Sequence, residues 1–177
     1  MSSLRRRIAE VEEDNGALLA FARGHAGAVA AIHEAVLAAL TATDRADLAM
    51  IVTRDWPCLL GVDAAALAWA DVDRAFAADR QAVRAMEPRL VARMAGMERA
   101  VSLRSVMHGH PLFGFDSNII RAEVAIRLEG TSGIGLIVLG QCDGLPAEAP
   151  AGTRLLRFLG RAASTMLERW PASAPPN

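Results

Sequence analysis

Two histidines flank one glycine at His108-Gly109-His110. In an extended segment, imidazoles two residues apart lie on one side of the chain and can share a metal ion. No adjacent Cys, Asp or Glu completes a ligand set, although Asp116 follows within reach. The plain alternative is a pair of loop histidines near a sheet edge. Arginine offers a second chemistry. Arg104, Arg121 and Arg127 fall in segments that read as strands, and a guanidinium facing a pocket grips a carboxylate or phosphate with its bidentate fork. Arg121 and Glu123 are two apart and so share a strand face. They form either a structural ion pair or the lining of a polar pocket. For Arg104 a solvated strand face is an equal explanation. An exposed Cys142 thiolate would be redox-active, but such chemistry needs a resolving thiol, and Cys58 sits in a remote helix-to-strand connection. Met86, Met94, Met97 and Met107, with Phe113 and Phe115, suit an adaptable apolar pocket or ordinary core packing. Trp56, Trp69 and Trp170 read as packing anchors. The candidate ligand-binding set is Arg121, Glu123, Arg104, His108, His110, Phe113, Phe115 and Met94. No catalytic set and no metal site is assigned, and no cofactor is specified.

Composition removes several functions. The chain has 177 residues, of which 19 are basic and 20 acidic, for a net charge of −1. That balance carries no electrostatic footprint for nucleic acid or an anionic membrane. All the basic residues are arginine, and there is neither lysine nor tyrosine. Without lysine there is no P-loop nucleotide grip and no Schiff base; without tyrosine no phenol serves as general acid or base. Heavy Ala and Arg use points to a genome rich in G and C, hence a bacterium. Two cysteines are too few for a disulfide framework or a Cys-rich zinc site. No apolar run approaches the ~20 residues of a membrane span. Arg5, Arg6 and Arg7 are followed by Glu10, Glu12, Glu13 and Asp14 where an export signal needs apolar residues, so the expected location is the cytoplasm.

The elements that must position these residues follow from spacing. Leu4, Ile8, Val11, Asn15, Leu18, Ala22, His25, Val29, Ile32 and Val36 alternate steps of four and three, the seam of a two-stranded coil. Gly16, Gly24 and Gly27 break it into helices over 3–22 and 26–43. Asp44 caps a third helix to Asp55, which Trp56-Pro57 should end. Val62 to Ala70 reads as a strand, and Asp71 to Arg84 admits a strand followed by a loop. Glu87 to Met97 reads as a helix, Ala100 to Val106 as a strand and His108 to Asn118 as a loop. Ile119 to Leu128 and Ile134 to Gly140 form a hairpin through a polar, Gly-containing turn. The second of these strands is nearly all apolar and therefore central. After a Pro-rich loop, Asp143 to Gly152, Thr153 opens a last helix that Trp170-Pro171 closes.

This order of elements is similar to a GAF-like domain. The chain resembles the bacterial domain-of-unknown-function family numbered four hundred eighty-four. The residues that carry the resemblance are Gly61-Val62-Asp63 before the first strand, Phe113-Gly114, Arg121-Ala122-Glu123-Val124, Gly135 to Gly140 and Arg169-Trp170. Three positions depart from the family pattern. Ala122 replaces a serine, Gln141-Cys142 replaces Ser-Arg, and no Phe follows in Leu145 to Glu148. The resemblance implies an α+β fold: a GAF-like, mostly antiparallel central sheet flanked by helices, with an N-terminal helical coil. The expected units are a helical dimerisation region over 1–43, a GAF-like domain over 44–171 and a disordered tail over 172–177. The leading expectation is a non-enzymatic sensory module that binds a small molecule between the sheet and Glu87 to Asn118 and signals through a helix-mediated homodimer. The alternatives are an interaction scaffold without a ligand and a cysteine-dependent redox enzyme.

Overall fold

A computed structural model describes residues 26–143 and 150–170. Helix α1 (residues 26–40) buries Ile32, Ala35 and Ala39, the three- and four-residue spacing of one helix face. The coil seam expected over residues 4–36 is thus described only at its end, where Ile32 and Val36 pack against the core of their own domain. Leu4 to His25, and with them the first expected helix, lie outside the described residues, as does the tail.

Helix α2 (Arg45–Met50) starts where expected, with the Asp44 carboxylate accepting the Asp47 N–H at 2.8 Å. It does not end at Trp56-Pro57. The chain widens into a π turn, Ile51–Asp55, and resumes as α3 (Trp56–Leu60). Pro57 has no N–H to give an α turn, and its ring would strike the carbonyl one turn back. The π turn, in which the Trp56 N–H reaches the Ile51 carbonyl, sets an extra residue just before the proline and lets the helix continue. Burial of Trp56 holds this arrangement, with its indole N–H donating to the Ala35 carbonyl at 3.0 Å. The helix stops instead at Gly61, whose φ of 65° is the left-handed cap that glycine adopts without strain.

Six antiparallel strands follow: β1 (Ala64–Ala70), β2 (Ala75–Ala78), β3 (Val83–Met86), β4 (Val101–Ser105), β5 (Ala122–Glu129) and β6 (Ile134–Gln141). Their order is β3-β2-β1-β6-β5-β4, so β6 is central as its apolar run implied. Helix α4 (Pro88–Ala95) links β3 to β4, and α5 (Pro150–Glu168) follows β6, opening three residues before Thr153. Asp71 to Arg84 is not strand then loop, because β2 and β3 pair as a hairpin. The exposed Val83, Arg84 and Ala85 give β3 no apolar alternation to read. The expected loop 108–118 contains a 3-10 segment, Pro111–Asn118, kinked at Gly114.

The sheet is covered on both faces, which is why every residue of β1 is buried. Ala65, Leu67 and Trp69 face the layer of α1, α2, α3 and α5, with Ile126, Leu128, Ile137 and Leu139 from β5 and β6. Ala64, Ala66, Ala68 and Ala70 face α4 and the 3-10 segment through Val91, Ala95, Leu112 and Phe113. The period-two alternation of a strand sorts them. An alanine-only face lets the second layer approach closely, and a hollow lies to one side of it, against β4, β5 and β6.

Candidate functional site

Glu123 anchors this hollow. Its position on β5 puts its carboxylate on the α4 side, where its side chain is fully buried. A buried carboxylate is stable only with every oxygen satisfied. Oε1 takes the Arg104 Nε at 2.7 Å and Nη2 at 2.5 Å. Oε2 takes the His110 backbone N–H at 2.6 Å. Arg104 reaches it because β4 and β5 pair in the register Arg104↔Glu123. Of the two readings of Arg121 and Glu123, the ion pair does not form. Arg121 turns to the end of the 3-10 segment and donates to the carbonyls of Asn118 at 2.8 Å and Ile120 at 3.0 Å, and to that of Met107 at 3.1 Å. The Asn118 carbonyl, at the end of the segment, has no further turn to accept from, and the guanidinium satisfies it.

His110 opens the 3-10 segment. Its Nδ1 accepts the Leu112 N–H at 3.2 Å. Burial pushes its pKa below the usual 6.5, opposed by the Glu123 charge and reinforced by Arg104, so the ring is neutral at pH 7. With Nδ1 accepting, the proton sits on Nε2. Around this ring lies a cavity of about 490 Å³ lined by Met94, Met97, Glu98, Arg99, Ser102, Arg104, His110, Ala125 and Leu136. Of the candidate residues, Met94, Arg104 and His110 line it, and Glu123 holds it from behind. Phe113 is buried beneath the 3-10 segment; Phe115 is exposed to 80% and His108 is exposed, both outside the cavity. Met107 likewise faces solvent. Glu98, Arg99 and Ser102 were missed. Ser102 was readable, since it stands two residues before Arg104 on the same strand face; Glu98 and Arg99 lie between elements, where spacing is silent.

Two further hollows stand out among the described residues. One of about 770 Å³ lies across the sheet, with walls that include Ile32, Leu103, Val124, Leu139, Leu155 and Leu156. Another of about 450 Å³ sits beside the Arg45–Asp71 ion pair. No cluster of three or more His, Cys, Asp or Glu could hold a metal among the described residues. The Cys142 thiol is pushed up by burial and by the Asp63 carboxylate, whose Oδ2 also accepts the Cys142 N–H at 2.7 Å, which keeps it protonated at neutral pH. Arg127 crosses to the Met97 carbonyl at 2.6 Å and pairs with Glu129. No helix among the described residues is long and apolar enough to cross a membrane.

The fold recurs in solved structures. A GAF domain from Pseudomonas syringae pv. tomato matches with a TM-score of 0.54 at 12% identity, over 86% of this chain and 92% of that one. The free methionine-R-sulfoxide reductase of Neisseria meningitidis, solved with its substrate, matches at 0.54 and 12% identity over 77% and 86%. The chromophore-binding domain of the Stigmatella aurantiaca bacteriophytochrome matches at 0.52 and 17% identity over 78% of this chain but only 59% of that one. At such identities the likeness is one of fold. No curated protein matches the sequence. A family model does, over residues 1–172. Its extent covers every strand and helix described above, and the chain therefore belongs to the family described as "Protein of unknown function, DUF484".

Proposed function

We propose that this chain is a sensory module that binds a small molecule in the cavity between α4, the 3-10 segment and β4–β5. A helix-mediated homodimer would carry the signal. The observation that carries the reading is the fully buried Glu123, which ties the cavity's Arg104 and the backbone of His110 to one strand. A site built this way is preorganised. The methionines beside it supply an adaptable apolar wall. His110 lines the cavity and heads the 3-10 segment, which is kinked at Gly114, so a ligand touching His110 would bias the packing of that segment. Two of the structural neighbours are named for a small molecule that they hold, a chromophore and a sulfoxide substrate, and that supports the same use of this fold here. A protonated Cys142 favours binding over thiol catalysis. For the dimer, α1 exposes Leu37 and Leu40 and α5 exposes Phe158, apolar side chains that a second copy would cover.

An interaction scaffold is the second reading. It is favoured by Met107, Phe115 and Ile119, exposed together around the 3-10 segment.

Native mass spectrometry of the gently purified chain separates these readings. The expected result is a dimer with an added small mass, which is lost in Met94→Trp, a change that fills the cavity from α4. A monomer overturns the dimer. An added mass that survives Met94→Trp overturns the cavity.

A further inference from the structure

We propose that the ligand of this cavity is a small aliphatic monocarboxylate, held by Arg104 end-on with His110 and Arg99 beside it. The inference rests on the cavity reading above and adds the ligand's chemical class. Arg104 spends one edge of its guanidinium, Nε and Nη2, on Glu123. The other edge, formed by Nη1 and the outer N–H of Nη2, has no partner among the described residues. Two parallel N–H groups on that edge match the two oxygens of a carboxylate. The His110 ring points to the same class. Its Nδ1 is committed to the Leu112 N–H, which leaves Nε2–H as a donor on a residue that lines the cavity. Arg99 and Ser102, which also border the larger hollow across the sheet, add further donors, and Glu98 is the one carboxylate in the lining. A wall of donors selects an acceptor-rich group and repels a cation.

Charge decides between a monoanion and a dianion. Glu123 already neutralises Arg104, and Glu98 offsets Arg99, so no surplus of positive charge remains to hold a doubly charged phosphate. One fork and one neutral donor suit a single carboxylate. The rest of the wall is Met94, Met97, Ala125 and Leu136, which suits an aliphatic body, and about 490 Å³ has room for a small molecule. Burial keeps His110 neutral, so the ring donates without adding a charge of its own.

The test uses the full chain with its methionine methyl groups carbon-labelled and its histidine rings nitrogen-labelled, titrated with hexanoate, hexanamide and hexylammonium at pH 7.5 and followed by NMR. Hexanoate is expected to shift the Met94 and Met97 methyl signals and the His110 Nε2 resonance. Hexanamide should bind about tenfold more weakly, the effect of losing a charge-assisted pair, and hexylammonium should not bind there. Arg99→Gln alters an exposed residue with no hydrogen bond among the described residues, so it should fold normally and weaken hexanoate severalfold. Arg104→Lys keeps the charge beside Glu123 but removes the fork, and should weaken hexanoate further. Equal binding of hexanoate and hexanamide, or affinities unmoved by both variants, would overturn the carboxylate while leaving the cavity reading intact. If none of the three moves the Met94 and Met97 signals while the fold is intact, the cavity reading falls and the carboxylate with it.

Discussion

Glu123 and His110 form a single unit, and each has a measurable consequence. Replacing Glu123 by Gln keeps the volume but turns one acceptor into a donor among donors. Arg104 is 56% exposed and recovers water, whereas the amide keeps its oxygen for the His110 N–H and leaves its own buried NH2 without an acceptor. The expected loss is therefore about 1–3 kcal/mol, the cost of one buried unsatisfied group rather than of a whole buried ion pair. Urea unfolding of Glu123→Gln checks it, with an unchanged midpoint as the contrary result. His110 gives a pH dependence. Its folded pKa lies below the usual 6.5 because burial disfavours the charged ring. Protonation thus favours the unfolded chain: the stability contribution is complete above pH 6.5 and is lost as pH falls through the folded value. Protonation also takes Nδ1 from the Leu112 N–H. His110→Asn can still accept that N–H and does not titrate, so its stability should change less between pH 7.5 and 5.5 than that of the native chain. Thermal melts at the two pH values measure this.

At the scale of elements, the 3-10 segment depends on one backbone conformation. Gly114 has φ 59° and ψ −124°, outside the regions open to a residue with a Cβ. An added Cβ would also lie 3.0 Å from the Asp79 Oδ2. That carboxylate is committed elsewhere. It pairs with Arg84 at 2.5 Å and accepts the Gln81 and Ala82 N–H groups, contacts that outweigh burial and hold its pKa below the ordinary value. Gly114→Ala should therefore cost about 1–3 kcal/mol from backbone strain. It should also raise hydrogen exchange locally, over residues 109–118. A stability loss with uniform exchange would mean that the segment is not an independent unit. The helix layer has its own key contact. Trp56→Phe removes the donor to Ala35 and leaves a cavity where the larger indole stood, with an expected loss of about 1–3 kcal/mol read by chemical denaturation.

For the whole molecule, sequence and structure divide along a physical line. Local pattern was enough for the strands β1, β5 and β6, for α4 and α5, and for the central place of β6, because a buried strand must be apolar and an amphipathic helix must repeat near 3.6 residues. Composition alone removed lysine and tyrosine chemistry, and short motifs spread along the chain pointed to the family. The continuation through Pro57 escaped, because a π turn is a response to packing around Trp56 and leaves no spacing of its own. β3 escaped because an exposed edge strand needs no apolar alternation. The site was half legible. Spacing of two residues shows which side chains share a face, and it put Arg121 with Glu123. It carries nothing about cross-strand register. That register, set by burial across the sheet, gave Glu123 to Arg104 from 19 positions away. The cavity is likewise a product of layers meeting. Its residues come from α4, the following loop, β4, β5, β6 and the start of the 3-10 segment. Only tertiary packing decides how closely an alanine face lets those pieces approach.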